Sequence, residues 1–230
     1  MFASKKTKKS LESKAKDASH SISIMNTPGT GQRTGTLKLP TSGTLIKQLE
    51  KLVDRERFLH SLGTYHTMLI LCQEYKEDPY EGAVLGLIHD SGRCVEYSRI
   101  REMLEEYHNP LSEEDLAFPK LWHARLGAVM LEKTFGISSR EMAEAIRVHP
   151  TGSPGMSRMG QILYIADYIE PTRDFEGVDR FRSLAFSDRD EAFRAILKRK
   201  IDHVRSRGKS LHSDSIKALK FYMKEGEEGY

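Results

Sequence analysis

The chain has 230 residues, enough for one well-buried domain and short for two. Its 38% hydrophobic and 30% charged content is typical of a soluble globular protein, and no stretch approaches the roughly 18 apolar residues of a membrane span. We therefore expect no helix that spans a membrane. The N-terminal lysines precede no apolar segment, so we expect no secretory signal and a cytoplasmic location. Cys72 and Cys94 are then expected to be reduced thiols.

The net charge of +3 is divided unevenly along the chain. Residues 1–48 hold nine Lys or Arg against Glu12 and Asp17, a balance of +7, and the other residues hold 27 basic against 31 acidic side chains, a balance of −4. Residues 1–43 are rich in Ser, Thr, Gly and Lys, which predicts a disordered basic extension. Weak electrostatic contact with nucleic acid is an alternative role for this extension. We place the folded domain at 44–230.

Beyond the extension, apolar periodicity and helix caps predict an all-α fold. The predicted helices start at capping residues or at proline, in the order Asp54, Asp78, Ser98, Pro119, Ser138, Ser157, Ser187 and Ser213. Two of these starts, Ser138 with Glu141 and Ser187 with Asp190, have the spacing of a capping box. Residues 150–155 contain two prolines and two glycines and must form a loop. No run alternates apolar and polar residues as a half-buried strand would.

A histidine and an aspartate, His89 and Asp90, directly follow the apolar run EGAVLGLI. The dipeptide alone is common by chance, and a satisfied core hydrogen bond is its ordinary explanation. Four more residues of ligand type lie on other predicted helices, although each histidine alone would more often be structural. Buried imidazoles and carboxylates are costly unless they meet a partner or a cation. The candidate ligands of a metal centre between helices are His60, His89, Asp90, His123, His149 and Asp167.

Six stretches of the chain together resemble the HD superfamily, and within it the YqeK group of HD-domain hydrolases. They are RxxHSLG at 57–63, GLIHD at 86–90, WHA at 122–124, AIRVH at 145–149, TGSPGMS at 151–157 and YIADYIEPTRDF at 164–175. The last two are much more specific than the His-Asp pair. One departure is Ser91-Gly92-Arg93, where the family usually has Ile or Cys, then Ala and Lys; the cation is kept, but as a planar guanidinium instead of a point charge.

Members of this group look like symmetrical bis(5′-nucleosyl)-tetraphosphatases, which split diadenosine tetraphosphate into two ADP. The resemblance implies an HD-type helical bundle with two divalent ions, expected to be iron, with Mn, Co or Zn as alternatives. The implied ligands are His60, His89, Asp90 and Asp167 for the first ion, and His123, His149 and a bridging Asp90 for the second.

The implied substrate carries a chain of negative phosphates, and arginine can hold phosphate bidentately. We expect His89, Asp90 and Arg93 to take part in catalysis. Two of the further candidates, Arg147 and Gly152, have equally good structural explanations. Arg147 could form an ion pair with Glu144, and Gly152 could simply belong to a tight turn. The residues expected to contact the nucleotide or its phosphates are Thr151, Gly152, Arg147 and Arg173.

The leading functional prediction is metal-dependent hydrolysis of dinucleoside polyphosphates, in which an activated water attacks phosphorus in line and ADP leaves. An alternative is an HD hydrolase of another nucleotide, such as a nucleoside triphosphate or a cyclic phosphodiester. A non-enzymatic alternative is a nucleotide-sensing or RNA-associated module that uses the basic extension. The sequence leaves a homodimer open and predicts no membrane partner.

Overall fold

The computed structural model describes residues 39–223, so most of the predicted basic extension lies outside the described part of the chain. Residues 39–223 form eleven α-helices and two short 3₁₀ turns and contain no β-strand, which confirms the predicted all-α class. The helices are α1 Ser42–Leu52, α2 Arg55–Glu74, α3 Pro79–Ile88, α4 Tyr97–Glu106, α5 Glu113–Leu116, α6 Trp122–Lys133, α7 Arg140–Val148, α8 Arg158–Ile169, α9 Val178–Ser187, α10 Arg189–Ser206 and α11 Ser213–Tyr222, and the 3₁₀ turns span Ser91–Cys94 and Pro119–Leu121. The first two residues of α1 belong to the segment predicted as extension. Within the described range, no helix has the length and apolar composition needed to cross a bilayer.

Three predicted helix starts are correct in residue and in mechanism. The carboxylate of Asp54 accepts the backbone N–H of Arg57 at the start of α2. Asp78 does the same for two first-turn N–H groups of α3, and Ser157 for one of α8. Each cap satisfies N–H groups that have no partner inside the helix. These starts fix where the helices that carry the candidate ligands begin.

The two predicted capping boxes are wrong by one residue. Helix α7 is capped by Ser139 instead of Ser138, and α10 by Asp188 instead of Ser187. In both places two neighbouring residues have the chemistry of a cap. Both capping residues have extended backbones, with φ of −141° at Ser139 and −153° at Asp188, whereas Ser187 is the last residue of α9. The corrections move helix ends slightly and leave the ligand positions unaffected.

Helix α3 lies at the centre of the domain, and every residue from Glu81 to Ile88 is buried. It packs against α1, α2 and α8, as expected for a helix that is apolar on all sides. At Gly86 an added Cβ would lie 2.9 Å from the carbonyl oxygen of Thr64, so glycine permits the close approach of α2. Each large apolar side chain buried here contributes about 1.5–3 kcal/mol. The helix therefore delivers His89 and Asp90 into the interior of the protein.

The first 3₁₀ turn holds helix α6 against the end of α3. A Cβ at Gly92 would lie 2.1 Å from the carbonyl oxygen of His123 and 2.9 Å from the backbone nitrogen of Gly127. Helix α7 packs on α6 and α8, and α10 packs on α8 and α9. The C-terminal end of α3 is thus the point where α2, α6, α7 and α8 approach one another.

Candidate metal centre

Six polar side chains from five helical segments converge at the C-terminal end of α3. Helix α2 supplies one, the end of α3 supplies two, and α6, the end of α7 and α8 supply one each. Four are at most 7% exposed, and the other two have side chains that are 12% and 14% exposed. They are the residues predicted as ligands, namely His60, His89, Asp90, His123, His149 and Asp167.

One half of the cluster is formed around His60. Its Nε2 atom lies 3.3 Å from Nε2 of His89 and 3.2 Å from Oδ1 of Asp167. Oδ2 of Asp90 lies 3.9 Å from both imidazole nitrogens. Four ligand atoms of the types that divalent metals take therefore face a common point.

The other half is formed around the second oxygen of the same carboxylate. Oδ1 of Asp90 lies 3.3 Å from Nε2 of His123 and 3.3 Å from Nε2 of His149, and these two nitrogens are 3.5 Å apart. Asp90 thus faces one half with each of its oxygens. A carboxylate in this position can bridge two cations.

The Nδ1 atoms of the four histidines all have acceptors outside the cluster. His89, His123 and His149 each lie 2.7 Å from the backbone carbonyl oxygen three residues earlier. Nδ1 of His60 lies 3.0 Å from Oε1 of Glu170. Donation from Nδ1–H turns each Nε2 atom inward, in the tautomer that leaves its lone pair for a metal.

Burial and charge reinforce this arrangement. Burial lowers the pKa of His149 to about 4 and also lowers the pKa of His123, so both imidazoles are neutral near pH 7. Burial would raise the pKa of Asp90, but His89 and its other histidine neighbours hold it well below its ordinary range. In the second half, therefore, two neutral nitrogen lone pairs face an ionised oxygen.

Oδ1 of Asp90 is buried and has no hydrogen-bond partner among residues 39–223. Such an arrangement is costly unless a cation lies between the atoms. The donor set of imidazole nitrogens and carboxylate oxygens fits a divalent metal ion. His60 differs, because hydrogen bonds to Asp167 and Glu170 outweigh burial and raise its pKa to about 9.

Of the three arginines predicted to hold phosphate, Arg93 and Arg173 lie at the cluster. Nε of Arg93 donates to Oδ2 of Asp90 at 2.7 Å, and Nη2 of Arg173 donates to Oδ1 of Asp167 at 2.7 Å. Each arginine therefore lies beside a candidate ligand carboxylate. Both side chains are more than a third exposed, so their remaining N–H groups are accessible from solvent.

The other predicted substrate contacts are differently placed. Arg147 makes a bidentate ion pair with Glu144, as its structural explanation predicts. Its Nη1 also lies 3.6 Å from Oδ2 of Asp214. Thr151 is buried, and its hydroxyl donates to the carbonyl oxygen of Val148. The N–H of Gly152 donates to the same oxygen at 2.7 Å, so it is already engaged within the protein.

Gly152 has a packing role as well. Its φ of +72° lies in the left-handed region, and a Cβ there would meet Ala218 at 3.3 Å and Leu197 at 3.4 Å. A contact between Gly152 and the substrate stays a prediction. The glycine allows the loop to pack against α10 and α11.

Two residues near the cluster were not singled out from the sequence. Glu170 is fully buried and accepts hydrogen bonds from Nδ1 of His60 and from the backbone N–H and hydroxyl of Thr172. Burial opposes its ionisation, but these hydrogen bonds keep the pKa of Glu170 below its ordinary value. Lys200 on α10 places its ammonium group 4.0 Å from the centre of the Tyr164 ring. Only the position of Glu170 inside a family motif could have drawn attention to it.

Comparison with known proteins assigns the chain to a family. The HD domain family matches residues 57–172. A symmetrical bis(5′-nucleosyl)-tetraphosphatase of Bacillus subtilis is 30% identical over 144 residues, which cover 63% of this chain and 77% of that protein. A protein of the same name from Halalkalibacterium halodurans is 28% identical over 176 residues, covering 76% and 92%.

The fold agrees with these matches. The crystal structure of a predicted HD superfamily hydrolase from Clostridium acetobutylicum, described as involved in NAD metabolism, superposes with a TM-score of 0.76 at 33% identity. The superposition covers 80% of this chain and 98% of that one. The chain therefore belongs to the HD domain family, and within it to the group of the symmetrical bis(5′-nucleosyl)-tetraphosphatases.

Proposed function

We propose that the protein is a metal-dependent hydrolase of dinucleoside polyphosphates that splits diadenosine tetraphosphate into two ADP. The observation that carries the proposal is the position of the Asp90 carboxylate. Its two oxygens face two separate sets of ligand atoms. Two arginines flank these sets. The names of the relatives support the choice of substrate.

Residues His60, His89, Asp90 and Asp167 would hold one ion, and Asp90, His123 and His149 a second. We propose iron for both, because these mixed nitrogen and oxygen donors suit it, with Mn, Co and Zn as alternatives. A bound divalent ion supplies a water of lowered pKa and positive charge next to the phosphoryl oxygens.

The residues of the chain provide the rest of the mechanism. Arg93 uses Nε for Asp90, and its two terminal amino groups have no hydrogen bond to any of residues 39–223. These groups can hold phosphoryl oxygens bidentately. Arg173 uses Nε and Nη2 for Asp167 and can turn Nη1 to a second phosphate. Both arginines would stabilise the charge that grows on the leaving ADP.

A nucleotide panel tests the proposed reaction. We expect purified protein to convert diadenosine tetraphosphate to two ADP, resolved by ion exchange, and to leave nucleoside triphosphates and cyclic phosphodiesters largely intact. Formation of AMP and ATP would show an asymmetric cut and contradict the proposal. Preferred cleavage of a nucleoside triphosphate or a cyclic phosphodiester would favour the alternative that the protein is an HD hydrolase of that nucleotide.

The number of bound ions tests the second ligand set. We expect protein purified without added metal to hold two ions per chain, and His149→Ala to hold one, because the variant keeps the first set intact. Elemental analysis per folded protein measures this. The matched control is His66→Ala, which removes an exposed imidazole on α2 and should leave both ions bound. One ion in the wild type and one in His149→Ala would show that the second set holds none.

A further inference from the structure

Lys200 lies beside the candidate metal centre on an element that contributes no ligand. It is on helix α10, which packs against α8. Its Nζ lies 4.0 Å from the centre of the buried Tyr164 ring. Tyr164 precedes Asp167 by three residues on α8, and residues at this spacing share a helix face. Lys200 therefore approaches the cluster from the side of Asp167.

The charges of the centre act on this ammonium group from both directions. Asp167 and Asp90 attract it, and Arg173 and Arg93 repel it. Burial is the largest influence and lowers the pKa of Lys200 to about 8. Lys200 is thus a third cation next to the two arginines that flank the cluster.

Lys200 differs from these arginines because it has no close anionic partner among residues 39–223. Arg93 and Arg173 each pair with a carboxylate at 2.7 Å. In the described part of the chain, no carboxylate oxygen lies within 4 Å of Nζ of Lys200, and its close contact is the ring of Tyr164. A partly desolvated ammonium without an anion is costly, and an incoming anion would remove that cost.

We propose that Lys200 binds the phosphate chain of the substrate and favours ligands with several linked phosphates. This inference rests on the proposed function, because it deepens the substrate contacts of the same site. A tetraphosphate extends beyond the phosphate that reacts, and an ammonium contacts its oxygens as a point charge without the fixed geometry of a guanidinium. Lys200 would therefore act mainly on binding, and Arg93 and Arg173 on the reacting phosphates.

The competing explanation is structural. The contact with Tyr164 is a cation–π interaction, which can hold α10 against α8 without any ligand. Lys200→Met separates the two explanations, because it keeps an unbranched apolar side chain and removes the charge. Lys200→Arg restores a cation. Lys198→Met on the same helix is the matched control, since Lys198 is exposed and pairs with Asp202 at 3.4 Å.

Calorimetric titration of the metal-loaded protein with inorganic tripolyphosphate tests the proposal. Metal content is measured after each titration, because polyphosphates chelate divalent ions. We expect Lys200→Met to weaken tripolyphosphate binding about tenfold, a typical effect of losing one charge-assisted contact. Orthophosphate binding should change less. Lys200→Arg should recover most of the affinity, and Lys198→Met should bind like the wild type.

Tripolyphosphate binding by Lys200→Met within twofold of the wild type would overturn the proposal and leave the structural role. Should Lys200→Met fold poorly, Lys200→Gln, which removes the charge but keeps a polar end group, is titrated instead with the same two readings. Kinetics with diadenosine tetraphosphate distinguish this inference from the proposed function. A rise in the KM of Lys200→Met with a nearly unchanged kcat supports both the role of Lys200 and the proposed function. An unchanged KM and full turnover in Lys200→Met overturn only the role of Lys200. Absence of turnover in the wild type overturns only the proposed function.

Discussion

Asp90→Asn is expected to abolish metal uptake and to reduce turnover of diadenosine tetraphosphate on the order of 1,000-fold. Asparagine keeps the size of the side chain and removes the negative charge that both ligand sets share. Metal ions contribute several kcal/mol of charge stabilisation in a transition state, and each 1.4 kcal/mol is a factor of ten in rate. Elemental analysis and an ADP-release assay measure the two effects, and circular dichroism should show unchanged helix content.

Asp202→Asn is the matched control for this variant. Asp202 is half exposed on α10, and its ion pair is with Lys198. The control should keep its metal and its rate, because an exposed pair of this kind contributes little. An Asp90→Asn protein that held two ions and kept the wild-type rate would refute the assignment of the centre.

Gly92→Ala is expected to destabilise the protein by about 3 kcal/mol and to weaken metal binding. Its new Cβ would lie 2.1 Å from the carbonyl oxygen of His123 and 2.9 Å from the nitrogen of Gly127. Both are backbone atoms, so the clash cannot be relieved by a rotamer change, and the 3₁₀ turn must move away from α6. This movement separates His89 and Asp90 from His123.

Denaturant unfolding monitored by circular dichroism, together with elemental analysis, measures both consequences of Gly92→Ala. Gly43→Ala is the control, because a Cβ at Gly43 in α1 meets nothing within 4 Å. It should leave stability unchanged or raise it by up to ~1 kcal/mol, as expected for alanine in place of glycine in a helix. Equal stability of Gly92→Ala and the wild type would show that the close approach of the turn and α6 is not required.

The six clustered residues could be predicted because three of them contradict their surroundings and the others lie on separate predicted helices. His89 and Asp90 end a helix that is otherwise apolar on every side, and Asp167 lies between Ile165, Ala166 and Ile169. A polar group at such a position needs a partner, and several such groups on different helices can be partners of one another. Their assignment as metal ligands remains a prediction that the variants above test.

The rest of the site could not be predicted, because nothing local marks it. Lys200 lies in the run Lys-Arg-Lys at 198–200, which reads as an ordinary solvated face until the packing of α10 on α8 is known. Gly152 is typical of a tight turn, and the residue that an added Cβ would meet there, Ala218, lies far away in the chain. Arg147 had two equal explanations from sequence, and its observed contacts are those of an ion pair.

Three of the four imidazoles are oriented by carbonyl oxygens of the main chain, from Gly86, Lys120 and Ile146. Substitution of side chains leaves these acceptors in place, so three of the nitrogen donors have a fixed direction. His60 is oriented by the side chain of Glu170. The orientation of the cluster can therefore be altered through a neighbouring side chain at one histidine only, and position 170 is where such a change acts.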